Sequence, residues 1–470
     1  MRSAALLLLP LLASCAGPAV ETARVAPVVA PAAWRTDAGP VAPLDHAWWQ
    51  AFGDPVLTAL VEKALANNTD IAVAAARVRE ARANVAAARA TLFPTLDGGA
   101  GAERSRSVSP FGTPEVQTAA EPQLQAAYEI DLFGRLADQR SAARDTWLAS
   151  QAARDAARLS VAAATASSYI QLRGLDARLG VTRSTLESRG EALRLARSRV
   201  GRGYSPKLEL EQAQAEYEGA AQLIPQIELN IARTEDALSL LTGETPAAIV
   251  RGLALDALVE PAIPAGLPSE LLRRRPDIAQ AEYQLAATDS TLAAARKRFL
   301  PQVRLSAAGG AAFSTLLQDP ITIWSVGGSV LAPLFEGGRL TAQAEAAGAQ
   351  RDQAAFAYRR AALTAFRETE DALAAAKRLD EQAASAMRQR DALAEGLRLA
   401  TNRYREGYSP YLEQLDAQRQ LLGVQLQLAQ VRADALAARV QLYQAMGGGW
   451  SMCGTAGAAP CDGGSGAPDH

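Results

Sequence analysis

The chain repeats itself at a spacing of slightly more than 200 residues, which limits its fold to two similar halves. Residues 199–217 and 403–421 are identical at nine of nineteen positions. Three other landmarks recur in the same order: Asp70-Ile71 with Asp277-Ile278, Pro94 with Pro301, and Leu132-Phe133 with Leu334-Phe335. Because the order is preserved, we conclude that a whole structural unit is present twice.

Each copy begins with an alanine-rich helical pattern and then changes to alternation. Helices are predicted over 70–92 and 277–300, each ending close to a proline. In QLQAAYEIDL (123–132), the apolar side chains fall on one face and the polar ones mainly on the other. The expected segments are strands at 95–103, 123–132, 302–313 and 321–334, with a polar loop at 104–121. Such strands match membrane hairpins, although a soluble sheet with one buried face has the same period.

Long helical stretches follow in both copies, from about 136 to 200 and from about 340 to 405. Some 65 residues of helix extend on the order of 100 Å. Gly-Tyr-Ser-Pro then reverses the chain, because glycine suits a helix C-terminus and proline suits the next helix start. The duplicated passage is therefore predicted to be the tip of a helical hairpin. Heptad spacing over 210–241 predicts a coiled-coil seam with a kink at Pro225.

The N-terminal residues predict export and a lipid anchor. A charged start, an apolar run and small residues indicate a signal peptide over 1–14. Leu12-Ala13-Ser14-Cys15 resembles a bacterial lipobox, so Cys15 is expected to carry the lipid (palmitate); an incidental cysteine is the alternative. Residues 15–45 are predicted to be this lipidated N-terminus and a Pro-rich linker, and 448–470 a flexible Gly-rich tail.

The composition argues against two classes of protein. A net charge of −2 offers no basic surface for nucleic acid. The chain has only two histidines and lacks a phosphate-binding glycine loop or a metal-ligand spacing, so no catalytic residue, metal site or cofactor is predicted beyond the covalent lipid on Cys15. A periplasmic adaptor, another lipid-anchored class with helical hairpins, does not fit two whole-unit repeats with amphipathic strands.

Four strands cannot close a membrane barrel, because the smallest barrels have about eight and lipid does not tolerate an open edge. The chain must then assemble with copies of itself. Two copies give eight strands around a filled interior, and three give twelve strands with room for a channel.

Four passages resemble the TolC-like outer-membrane factors, and most closely the lipoprotein branch that serves multidrug (RND-type) efflux systems. These are 48–71, 266–282, PLFEGGR (333–339) and 407–419, and the resemblance covers about 47–447. The family implies a mainly α-helical fold with a membrane β part: a trimeric twelve-stranded outer-membrane β-barrel continued by a long periplasmic α-helical barrel. It implies a lipid-anchored exit duct in the bacterial outer membrane, with a periplasmic adaptor protein and an inner-membrane efflux pump as partners. A type I protein secretion channel is the alternative.

The resemblance also implies where the duct closes. By position, Asp416 forms an acidic constriction, Leu412 an apolar ring beside it, and Arg419 and Tyr404 the bonds that hold the helices inward. An ordinary exposed pair between Asp416 and Arg419 is the alternative. The first copy has Gln212 and Ala215 at the matching positions, so these charges belong to the second copy alone. The adaptor would meet the two tips: Gly203, Tyr204, Ser205, Pro206, Gly407, Tyr408, Ser409 and Pro410.

The predicted organisation places a first structural repeat at 46–259 and a second at 260–447. The first carries a β-hairpin at 94–133 and a helical hairpin with its tip at 203–206. The second carries a β-hairpin at 301–335 and a helical hairpin with its tip at 407–410.

Overall fold

A computed structural model describes residues 20–23, 25–36, 45–263 and 268–450. The first predicted repeat contains helices α1 (Pro55–Asn67) and α2 (Thr69–Ala90), strands β1 (Thr95–Val108) and β2 (Pro114–Ile130), and helices α3 (Arg135–Gly201), α4 (Lys207–Ala221) and α5 (Leu223–Leu241). The second contains helices α6 (Pro268–Arg274) and α7 (Pro276–Lys297), strands β3 (Gln302–Ser314) and β4 (Ile321–Leu331), and helices α8 (Arg339–Arg405) and α9 (Tyr411–Ala445). From α2 and α7 onward the two copies follow the same order of elements, except that α9 alone stands where the first copy has α4 and α5.

The four strands form one antiparallel sheet in the order β1-β2-β3-β4. The two hairpins join through β2 and β3, where Ala127 lies opposite Ser306 and Ile130 opposite Val303. Many large apolar side chains of the sheet are exposed, including Leu124, Trp324 and Val326. Strands β1 and β4 are the two edges of this sheet.

The predicted loop at 104–121 was wrong over most of its length. Strand β1 continues to Val108 and β2 starts at Pro114, so the turn occupies only 109–113. Charged side chains such as Arg104 and Arg106 indicated a loop, yet a strand with one solvated face accepts them.

The long helices match the sequence prediction closely. Helices α3 and α8 have 67 residues each. Within the described residues, none of the helices has both the length and the apolar composition needed to cross a bilayer. The predicted kink at Pro225 takes the form of a break, because α4 ends at Ala221 and α5 begins at Leu223. Proline has no amide hydrogen for the helical bond four residues back, which explains the interruption at this place.

Contacts divide the chain into two compact units, each drawn from both predicted repeats. One unit contains the sheet and residues 76–151 and 280–360. In it, the amide of Ala23 donates to the Asp352 carboxylate at 2.9 Å, so this part of the N-terminal segment lies against α8.

The second unit includes residues 28–75, 152–279 and 361–450, and its core combines the first copy with α9. Trp48 stacks on Tyr443 with ring centroids 5.4 Å apart. Asp54 caps α1 through the amide of Val56 at 2.8 Å and accepts a hydrogen bond from the Tyr169 hydroxyl at 2.8 Å. That hydroxyl also accepts from the amide of Gly252 at 2.9 Å, which fixes the loop after α5 against α3.

Candidate functional site at the hairpin tips

Both tips are built from the same backbone turn. Gly203 and Gly407 have φ of 77°, a left-handed conformation that suits glycine. At the first tip, the amide of Tyr204 donates to the carbonyl of Arg199, and the amide of Gly203 donates to that of Val200. The second tip repeats both bonds. This pair of bonds is a Schellman motif, which ends a helix by satisfying its last carbonyls.

The proline of each tip lies at the N-cap of the returning helix, one residue before the helical turn begins. Pro206 has φ −61° and ψ 146°, and Pro410 has φ −68° and ψ 157°. Between the glycine and the proline, Tyr204 and Tyr408 are 80% and 79% exposed. The tips therefore present two large aromatic side chains to the surroundings.

Arg419 on α9 reaches across to the first copy. Its Nε donates to Glu216 Oε1 on α4 at 2.6 Å. The second oxygen of Glu216 lies 3.0 Å from Arg189 Nη2 on α3, and Arg189 Nη1 also donates to the Glu216 carbonyl at 2.7 Å. Burial lowers the pKa of Arg189, and the Glu216 carboxylate acts in the opposite direction. Glu216 thus joins three helices.

Tyr404 makes a second link between the copies. Its hydroxyl donates to Glu209 Oε2 at 3.2 Å and accepts from Arg199 Nη1 at 3.0 Å. The Arg199 guanidinium carbon lies 5.3 Å from the centre of the Tyr404 ring, a cation–π distance. Burial raises the pKa of Tyr404, and the nearby Glu209 carboxylate raises it further.

Asp416 and Leu412 do not take part in these links. Asp416 is exposed and accepts a hydrogen bond from Gln420 Nε2 at 2.6 Å. Leu412 is 57% exposed. Asp416 and Arg419 do not form an ordinary pair on one helix, because the partner of Arg419 in the structure is Glu216.

The structure therefore bonds Tyr404 and Arg419 to the first copy and leaves Asp416 and Leu412 exposed on the surface of one chain, without a bond to the described residues of the first copy. Sequence reasoning missed their partners Arg199, Glu209 and Glu216, and also Arg189, which binds Glu216. Arg189 and Glu216 carried a usable signal, because they are charged only in the first copy: the second has Leu393 and Gln420 there. The predicted lipidation residue, Cys15, lies outside the described residues.

The outer membrane efflux protein family model matches residues 60–244 and 267–448. The solvent efflux pump outer membrane protein SrpC of Pseudomonas putida is 36% identical over 410 residues, covering 85% of this chain and 87% of that protein. The outer-membrane channel OprN superimposes with a TM-score of 0.82 at 29% identity, covering 93% of this chain and 99% of that chain.

The Campylobacter jejuni CmeC outer membrane channel has a TM-score of 0.85 at 25% identity, with 92% of this chain and 96% of that chain covered. Both superpositions cover more than nine tenths of this chain. The chain belongs to the outer membrane efflux protein family.

Proposed function

We propose that this chain is the outer-membrane exit duct of a tripartite efflux system and passes small molecules out of the cell. One observation carries the proposal. The same duplicated chain contains an amphipathic four-stranded sheet and two very long helical hairpins. Relatives such as SrpC are named as outer membrane components of efflux pumps, which favours efflux over protein secretion.

The duct is a homotrimer anchored in the outer membrane. One chain leaves β1 and β4 as edges, and lipid offers no hydrogen bonds to an open edge. Three copies supply twelve strands, enough to enclose a channel, while the hairpins form the periplasmic part. Acyl chains on Cys15 would add a second anchor, in the leaflet of the outer membrane that faces the periplasm.

The gate lies near the second tip. Three copies of exposed Asp416 would face one another around the threefold axis, with Leu412 beside them. Arg419 and Tyr404 hold the second copy's helices against Glu216 and Glu209 of the first. Opening then requires these two links to break. A ring of carboxylates at the constriction favours cations.

The tips are the surface for the partners. Tyr204 and Tyr408 are exposed at equivalent turns, so three chains present six similar sites to a periplasmic adaptor protein. The inner-membrane pump selects the substrate, and the duct supplies passage. Solvents, for which the SrpC system is named, are one expected class of substrate.

Deletion of the gene in its own host tests this function. We expect intracellular accumulation of a fluorescent cationic dye to rise, and the wild-type gene to reverse it. A variant with Tyr204→Asp and Tyr408→Asp should reach the outer membrane and fail to reverse it. Unchanged dye accumulation together with loss of an exported protein from the medium would establish the secretion alternative instead.

A further inference from the structure

The ion pair between Arg189 and Glu216 is buried, whereas the arginine that joins it from the second copy is not. The Arg189 and Glu216 side chains are 6% and 10% exposed, and Arg419 is 54% exposed. Arg189 also binds the backbone carbonyl of Glu216, so the link between α3 and α4 does not depend on Arg419. The Glu216 carboxylate therefore makes one buried ion pair, with Arg189, and one partly exposed ion pair, with Arg419.

Comparison of the two copies separates these three residues from the duplicated scaffold. Aligned on Gly203 and Gly407, Arg189 corresponds to Leu393 and Glu216 to Gln420. Arg419 corresponds to Ala215. Each residue is charged in one copy and neutral in the other, yet all three meet in the folded chain. The copies have thus diverged in a complementary way at a single place.

We propose that the ion pair between Arg189 and Glu216 is kept in both states of the duct. Arg419 binds Glu216 only when the duct is closed. A buried carboxylate that loses its sole cationic partner is strongly destabilised. Glu216 keeps Arg189 when Arg419 leaves, so opening does not leave an unpaired buried charge. Arg189 is a positioning residue that lowers the cost of opening. This inference rests on the gate proposed above.

The proposal predicts that substitutions of Arg189 and of Glu216 shift the equilibrium between open and closed duct in opposite directions. Glu216→Gln removes the acceptor for Arg419 and should favour the open duct. Arg189→Leu leaves Glu216 with Arg419 as its one cationic partner. Dissociation of Arg419 then costs more free energy, so the closed duct is favoured. A purely structural role would move both variants in the same direction, through general loosening of the tip.

The test is the open probability of the purified trimer in planar bilayers. All variants are compared in an Asp416→Ala background, in which both increases and decreases can be measured. Arg189→Leu is expected to lower the open probability on the order of tenfold, and Glu216→Gln to raise it by a similar factor. Both substitutions borrow the residue of the other copy. Arg183→Leu, which removes an exposed pair with Glu228 on the same hairpin, is the control and should change little.

The proposal is overturned if Arg189→Leu raises the open probability or leaves it unchanged. Should that variant fail to assemble, Arg189→Gln, which can still donate to the Glu216 carbonyl, decides with the same expected sign. Arg419→Ala separates this inference from the gate itself. If Arg419→Ala does not increase the open probability, the gate is misplaced and the proposed role of Arg189 is rejected with it. If Arg419→Ala increases the open probability and Arg189→Leu does not decrease it, the gate is retained and only the proposed role of Arg189 is rejected.

Discussion

Single residues hold the second unit together where its segments come from distant parts of the sequence. Tyr169 is fully buried and bonds both Asp54 and the amide of Gly252. Burial, with the hydrogen bond to Asp54 second, raises the pKa of Tyr169 to about 12. The fold therefore favours the neutral phenol.

This pKa predicts a loss of stability at alkaline pH. An unfolded chain releases the phenolic proton near pH 10, and the folded chain keeps it up to about pH 12. The contribution of Tyr169 is complete below pH 10 and lost as the pH rises through this window, by at most about 2.7 kcal/mol. Melting temperatures from circular dichroism should fall less between pH 9 and 11 in Tyr169→Phe than in wild type. Equal falls would contradict this, and the exposed tip variant Tyr204→Phe is the control.

Pairs of elements pack through small residues. On α3, Gly174 approaches α9 so closely that an added Cβ would lie 2.7 Å from the Cβ of Ala433. Gly180, six residues along the same helix, would meet nothing within 4 Å. Gly174 is therefore needed for contact between two helices, and Gly180 is not.

The two glycines make a matched pair of predictions. Glycine in a helix interior costs about 1 kcal/mol relative to alanine. Gly180→Ala should raise the melting temperature by a few degrees, whereas Gly174→Ala should lower it because α3 and α9 must separate. An equal rise in both variants would show that the close approach of Gly174 does not constrain the packing.

The elements themselves were largely predictable, because each carries its own period. The predicted helix at 136–200 differs from α3 by one residue at each end. The strand residues within 104–121 were missed because Arg104 and Arg106 resemble loop residues when the environment of each face is unknown. The tip bonds depend on contacts between copies, which periodicity does not reveal. Tyr404 and Arg419 were predicted only through the family resemblance. Of their acidic partners, Glu216 carried a signal because the second copy has Gln420 there, whereas Glu209 matches Glu413 and carried none.

Across the whole molecule, the two open edges of the four-stranded sheet require copies of the chain to complete one another. Strand β1 of one chain must pair with β4 of the next if three chains enclose a channel. Cysteines at Ala100 in β1 and at successive positions over 326–330 in β4, with Cys453 and Cys461 replaced by serine, should yield covalent dimers and trimers at matching registers. Cysteines at Gln125 in β2 and the same β4 positions are the control. Absence of linked chains at every register would contradict closure through these edges.

The most direct test of the account is single-channel conductance of the purified protein in planar bilayers. We predict a small, flickering conductance for wild type and a larger, longer-lived one for the variant with both Asp416→Ala and Arg419→Ala. The control variant, Glu395→Ala with Arg398→Ala, removes an exposed pair of the same charges and spacing on α8 and should behave as wild type. Membrane-inserted trimers that conduct no ions in either form would contradict the claim that this chain is a gated exit duct.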